Sequence, residues 1–68
     1  MTNAERILGH LQALSGAVCD DCLSDILKIR PRQQVNHRAR DLYKMGKIDR
    51  RRTTCSRCER TKLVNRAS

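Results

Sequence analysis

The chain has 68 residues, fifteen of them Lys or Arg against seven Asp or Glu, giving a formal net charge of +8. That length admits one domain, and a domain this small buries only about 60% of its unfolded surface, so its core needs reinforcement. Tyr43 is the only aromatic residue, with no Phe or Trp to anchor a core, and a structural metal is the usual remedy in so small a scaffold. No apolar run approaches the ~20 residues that span a bilayer, and no apolar signal segment precedes a small-residue cleavage site. The expectation is a chain with no membrane partner in a reducing cytoplasm, where Cys-x-x-Cys pairs are metal ligands more often than disulfides.

Thr2 and Glu5 have the spacing of a capping box, and Ile7, Leu8, Leu11 and Leu14 recur as one apolar stripe. A first helix is predicted over about Asn3–Leu14, ended by Ser15-Gly16. A second stripe of Leu23, Ile26 and Leu27 predicts a helix over about Asp20–Lys28. Cys19 would be its N-cap and Cys22 would lie in its first turn, with Asp20 and Asp21 as charges suited to the helix dipole. The residue before a proline avoids helical geometry and proline suits a first helical position, so Arg30-Pro31 marks a new start. Val35, Ala39 and Leu42 then carry a third helix over about Pro31–Met45, with Gly46 as its C′ residue. Ile48–Thr54 and Thr61–Val64 are expected to form two antiparallel strands, although Arg50–Arg52 shows no apolar alternation. Residues 1–64 then form the domain and residues 65–68 a loose tail.

Four cysteines stand as two pairs, Cys19/Cys22 and Cys55/Cys58, each with a two-residue gap. Such a gap lets both sulfurs of one turn reach a single tetrahedral metal, and four thiolates match a closed structural zinc site. Iron in a rubredoxin-like site and disulfide-bonded or free thiols are the alternatives. The spacer of 32 residues between the pairs is longer than in a compact zinc ribbon, so a folded element must sit inside it. His10, on the first helix, reads as a surface or boundary residue and not as a fifth ligand. No paired carboxylates, Ser/His/Asp set or glycine-rich phosphate loop argues for catalysis, so the chain does not read as an enzyme.

Charge is divided unevenly. Up to Leu27, Arg6 stands against Glu5, Asp20, Asp21 and Asp25. From Lys28 onward fourteen Lys/Arg stand against Asp41, Asp49 and Glu59. This asymmetry favours a polyanion partner with salt-dependent affinity. With Val35, Ala39 and Leu42 turned inward, Gln33, His37, Arg40 and Lys44 project from the opposite side of the third helix, flanked by Gln34 and Asn36. Amide side chains pair bidentately with adenine in the major groove, and the early part of a reading helix meets base edges. Gln33, Gln34, Asn36 and His37 are therefore candidate base contacts, and Arg32, Arg40 and Lys44 candidate phosphate contacts. Arg50, Arg51, Arg52 and Arg57 on the ribbon are further candidates for phosphate or minor-groove contact.

Helix, helix, helix and ribbon, in that order, give a chain that resembles the winged helix-turn-helix superfamily from Ile7 to about Val64. The likeness rests on Ile7-Leu8, Leu11 and Leu14, on Val18, Leu23, Ile26-Leu27 and Ile29, and on Val35, Ala39, Leu42 and Met45-Gly46-Lys47-Ile48. Ala39 is smaller than the leucine usual there, and the wing carries a Cys pair that the ordinary family lacks. The resemblance is thus to a variant with a zinc-ribbon-like site in the wing. It implies a mainly α fold, three helices plus a two-stranded wing, with one structural zinc. It also implies a small transcriptional regulator that binds duplex DNA at the nucleoid, with a homodimer through the first helix as one route of action. The rival readings are an RNA- or ribosome-associated zinc protein and a protein-interaction adaptor.

Overall fold

The computed structural model describes residues 2–68. Its first helix, α1 (Asn3–Ala13), begins with the expected reciprocal cap: Glu5 N donates to Thr2 Oγ1 at 3.2 Å, and Thr2 N donates to Glu5 Oε1 at 3.1 Å. Leu14 has already turned extended, so the helix stops one residue before the predicted end. The chain then makes a two-residue strand, β1 (Val18–Cys19), and passes directly into α2 (Asp20–Leu27). Lys28, expected inside α2, instead adopts a left-handed conformation (φ 54°) and closes it, with Ile29 N donating to Ser24 O at 3.1 Å. This is the Schellman pattern, which satisfies carbonyls that the helix end leaves without partners.

Helix α3 (Arg32–Lys44) starts one residue after Pro31, whose extended backbone makes it the N-cap and not the first helical residue. At the other end Gly46 takes a positive φ of 75°, as a C′ glycine should, and Lys47 N reaches back to Leu42 O. Strands β2 (Ile48–Thr54) and β3 (Thr61–Ala67) form an antiparallel hairpin paired from Ile48↔Ala67 to Thr54↔Thr61.

Two expectations are corrected here. The sheet is three-stranded in the order β1-β3-β2, not a two-stranded wing, because Val18 and Cys19 pair with Asn65 and Val64 on the free side of β3. Residues 65–67 are strand and not tail: all seven residues of β2 find partners in β3, and Asn65 is fully buried.

The core lies where α1, α2 and α3 meet the sheet. Ile7 and Leu11 come from α1, Leu23 from α2, Val35, Ala39 and Leu42 from α3, and Val18, Ile48 and Val64 from the strands. The third helix buries its whole predicted stripe, whereas of the first two stripes only Ile7, Leu11 and Leu23 are fully buried and Leu8, Leu14, Ile26 and Leu27 are half-buried. Tyr43 takes no part and is exposed. Three of the four cysteines belong to the same cluster, so the sulfur site is continuous with the core.

Candidate functional site

Four cysteines converge although the pairs lie at opposite ends of the chain. Cys19 ends β1, Cys22 lies in the first turn of α2, and Cys55 and Cys58 occupy the connection between β2 and β3. All four are free thiols, and their Sγ atoms lie within 4.8 Å of one another. Cys19 Sγ and Cys58 Sγ are 3.9 Å apart, and Cys55 Sγ and Cys22 Sγ are 3.6 Å apart. A tetrahedron with metal–sulfur bonds of about 2.3 Å has edges of about 3.8 Å. The cluster therefore already has the dimensions of one tetrathiolate site and could hold a metal ion.

The connection is folded to present its sulfurs inward. Cys55 N donates to Arg60 O at 2.9 Å, and Glu59, with a positive φ of 63°, returns its N–H to Cys55 O. Ser56 N donates to Ala17 O at 2.8 Å, which draws the tip onto the segment before β1. The end of the hairpin is thus anchored against the body of the domain. Gly16 lies under this contact: a Cβ there would come within 3.0 Å of Ser56 Oγ.

Two backbone amides, of Cys19 and Arg57, donate to Cys55 Sγ at 3.4 Å each. Burial opposes ionisation of Cys55, but the amides of Cys58, Cys19 and Arg57 outweigh it and lower this thiol to about 6. Burial pushes Cys19 the other way, up to about 12, despite its place at a helix start. Cys22 is also raised by burial, against the pull of the Arg57 guanidinium. Without a cation the cluster cannot ionise as a set. A divalent metal supplies the charge that lets all four become thiolates.

Charged side chains surround the site. Arg57 pairs with Asp25 at 3.4 Å, and its guanidinium is raised above its ordinary value chiefly by Cys22. Lys62 and Arg32 both grip Asp21, at 2.7 and 2.8 Å, and together hold its carboxyl below the usual range.

Asp20 is the residue that sequence reasoning missed. Placed between two of the cysteines, it accepts from Asn65 Nδ2 at 2.7 Å, from Arg50 Nη2 at 3.1 Å and from Asn36 Nδ2 at 3.1 Å. Arg50 also donates to Asn36 O at 3.4 Å. One carboxylate thereby joins the start of α2 to α3, β2 and β3. Arg50 and Asn36, expected to face nucleic acid, are turned inward by this network. The Arg50 side chain is only 5% exposed. Period-two alternation is the signal that separates Arg50 from its neighbours, since it places Arg50 on the inner face of β2 and Arg51 on the outer.

The remaining candidates are distributed as follows. Gln33, His37, Arg40 and Lys44 are all exposed and form one stripe along α3, and Gln34 is half-buried beside them. Arg32 is exposed but held by Asp21, and Arg57 by Asp25. Arg51 pairs with Asp49 at 2.9 Å, whereas Arg52 is exposed and makes no ion pair among the described residues. His10 is partly buried and its Nε2 has no partner, and it lies outside the sulfur cluster. Among the described residues no helix is long and apolar enough to cross a membrane. Comparison with protein-family models, curated proteins and solved structures finds no match for this chain.

Proposed function

We propose that this chain is a zinc-stapled DNA-binding module of the winged-helix type, acting in the cytoplasm at the nucleoid as a small transcriptional regulator. The observation that carries this reading is the stripe Gln33–His37–Arg40–Lys44. It is exposed along one helix, mixes an amide and cations, and none of its members is ion-paired among the described residues. Five of the chain's seven acids, Asp20, Asp21, Asp25, Asp41 and Asp49, are engaged in ion pairs with other cations. The positive stripe is left to an external polyanion. In a major groove, Gln33 and His37 would meet base edges while Arg40 and Lys44 meet phosphates. Arg52 supplies a further cation from the hairpin.

Zinc is the metal proposed, as a structural staple. It favours a four-thiolate tetrahedron with no open position, so the site carries no chemistry of its own and clamps α2 to the hairpin. With one aromatic residue, the chain offers poor stacking to single-stranded RNA, which places duplex DNA first.

The test is a titration of the zinc-loaded protein with duplex DNA at two salt concentrations, mapped by backbone amide shifts. The expected result is steep salt dependence, with perturbations along Gln33–Lys44. Perturbations that avoid this stripe would overturn the DNA reading. Native mass spectrometry showing no bound zinc would overturn the metal assignment.

A further inference from the structure

Tyr43 is the one aromatic residue of a chain short of core material, yet it is 51% exposed. It stands at the edge of a shallow cleft between α3 and the hairpin, lined by Asn36, Arg40, Tyr43, Arg50 and Leu63. Leu63 supplies a second apolar wall and is itself 44% exposed. The base of the cleft is fixed, because Asn36 and Arg50 are both bonded to Asp20. Its rim is cationic. Arg40, in its lining, is exposed without an ion pair among the described residues, and so is Arg52, which lies outside that lining but directly opposite Leu63 in the hairpin register.

We infer that this cleft docks an acidic peptide segment of a partner protein, one that places an apolar side chain between Tyr43 and Leu63 and carboxylates on Arg40 and Arg52. Tyrosine and arginine together are the residues that most often dominate protein interfaces, and they do so around a desolvated apolar centre. Neither cation has an ion-pair partner among the described residues, so the complementary surface must bring negative charge. Leu63 decides between a peptide and a nucleic acid. An aliphatic side chain offers nothing to a phosphate, and one tyrosine is a single stacking platform where strand binding uses several. Arg40 and Arg52 are shared with the proposed DNA contacts, but Tyr43 and Leu63 belong to the cleft alone, so the apolar part of the inference stands apart from the DNA reading.

The test uses the full, metal-loaded chain and a short synthetic peptide of alternating Glu and Leu, with an alternating Glu and Ser peptide and oligothymidine as comparators. The Glu/Leu peptide is expected to shift the amides of Tyr43 and Leu63 saturably. Tyr43→Ala and Leu63→Ser should each weaken it at least about tenfold, the effect of losing a hot-spot side chain. Met45→Ser, at a more exposed apolar residue outside the cleft, should leave it unchanged. Equal binding of the Glu/Ser peptide reduces the cleft to a charge effect and overturns the proposal. Oligothymidine shifting Tyr43 and Leu63 in preference to the peptide overturns it in favour of a nucleic acid. If a variant fails to fold, the shift map on the unaltered chain decides between these outcomes.

Discussion

Asp20 and Arg50, thirty residues apart in the chain, meet at 3.1 Å in a nearly dry site, with side chains 15% and 5% exposed. The pair closes a ring of contacts from the sulfur-bearing start of α2 to the inner face of the hairpin. Removing one member of such a pair leaves an uncompensated buried charge, whereas replacing both by apolar groups can be neutral.

Arg50→Ala is therefore expected to destabilise the fold by about 3–5 kcal/mol, the cost of breaking a buried pair. Combining Asp20→Ala with Arg50→Ala should cost less than the sum of the two single losses, so the two effects will not add. Urea unfolding of the single and double variants measures the coupling. Strict additivity would mean that the two side chains do not act as a unit.

The contrast with Arg51 shows what the sequence could and could not reveal. In the run Arg50-Arg51-Arg52 the three side chains are chemically alike, and alternation places Arg50 inward and Arg51 outward. The inward position becomes intelligible only when Asp20 is known to lie opposite, and Asp20 reads from sequence as an ordinary charge at a helix start. Strand β1 was hidden for a different reason: two residues, Val18 and Cys19, are too few to show any period. Legible from the start were the features with local causes. These are the Thr2/Glu5 cap, the glycine stop at Gly46, the three apolar helix stripes and the paired spacing of the cysteines. Asn65 reads as tail from sequence because the strand pairing that buries it depends on the length of β2.

Metal removal should unfold the protein. Structural zinc sites contribute about 10–16 kcal/mol of apparent binding free energy at neutral pH, as much as the whole stability of a typical domain. A chelator is expected to abolish the cooperative thermal transition, and Cys55→Ser should do the same without chelator. Cys55 is the ligand to choose because it is fully buried and accepts two amide N–H groups. Retention of native circular dichroism and a sharp transition after complete chelation would show that the apolar core suffices alone.

Acid should weaken the grip of Arg32 on Asp21. The Asp21 carboxyl is held low by Lys62 first and Arg32 second, so its folded value lies below its unfolded value. Such a group stabilises the fold above the unfolded carboxylate value of about 3.9 and loses that contribution as pH falls through the folded one. Arg32→Gln should lower stability only slightly at neutral pH, since both partners are substantially solvated. Towards about pH 4 the variant and the unaltered chain should converge as the carboxylate is neutralised. Acid that strips the metal unfolds both proteins, so the comparison is made at pH values above metal loss, where the two midpoints should draw together as pH falls towards the carboxylate range. Comparing their denaturation midpoints across that window measures it, and a difference that does not narrow would mean that Arg32 acts through another group.

Charge reversal on α3 separates the reading stripe from the structural cations. Arg40→Glu with Lys44→Glu replaces two exposed side chains outside the core and, among the described residues, outside any ion pair, so the fold should be kept. Each lost phosphate contact removes a released counterion, and the slope of log affinity against log salt should fall by about 0.9 per contact. The double variant is therefore expected to bind duplex DNA far more weakly and with a shallower salt slope. Arg51→Gln, at a residue held by Asp49 on the outer face of β2, should change both quantities much less. Fluorescence anisotropy at two salt concentrations distinguishes the cases. Equal losses from Arg51→Gln and from the helix variants would indicate that general positive charge binds the DNA and not the α3 stripe.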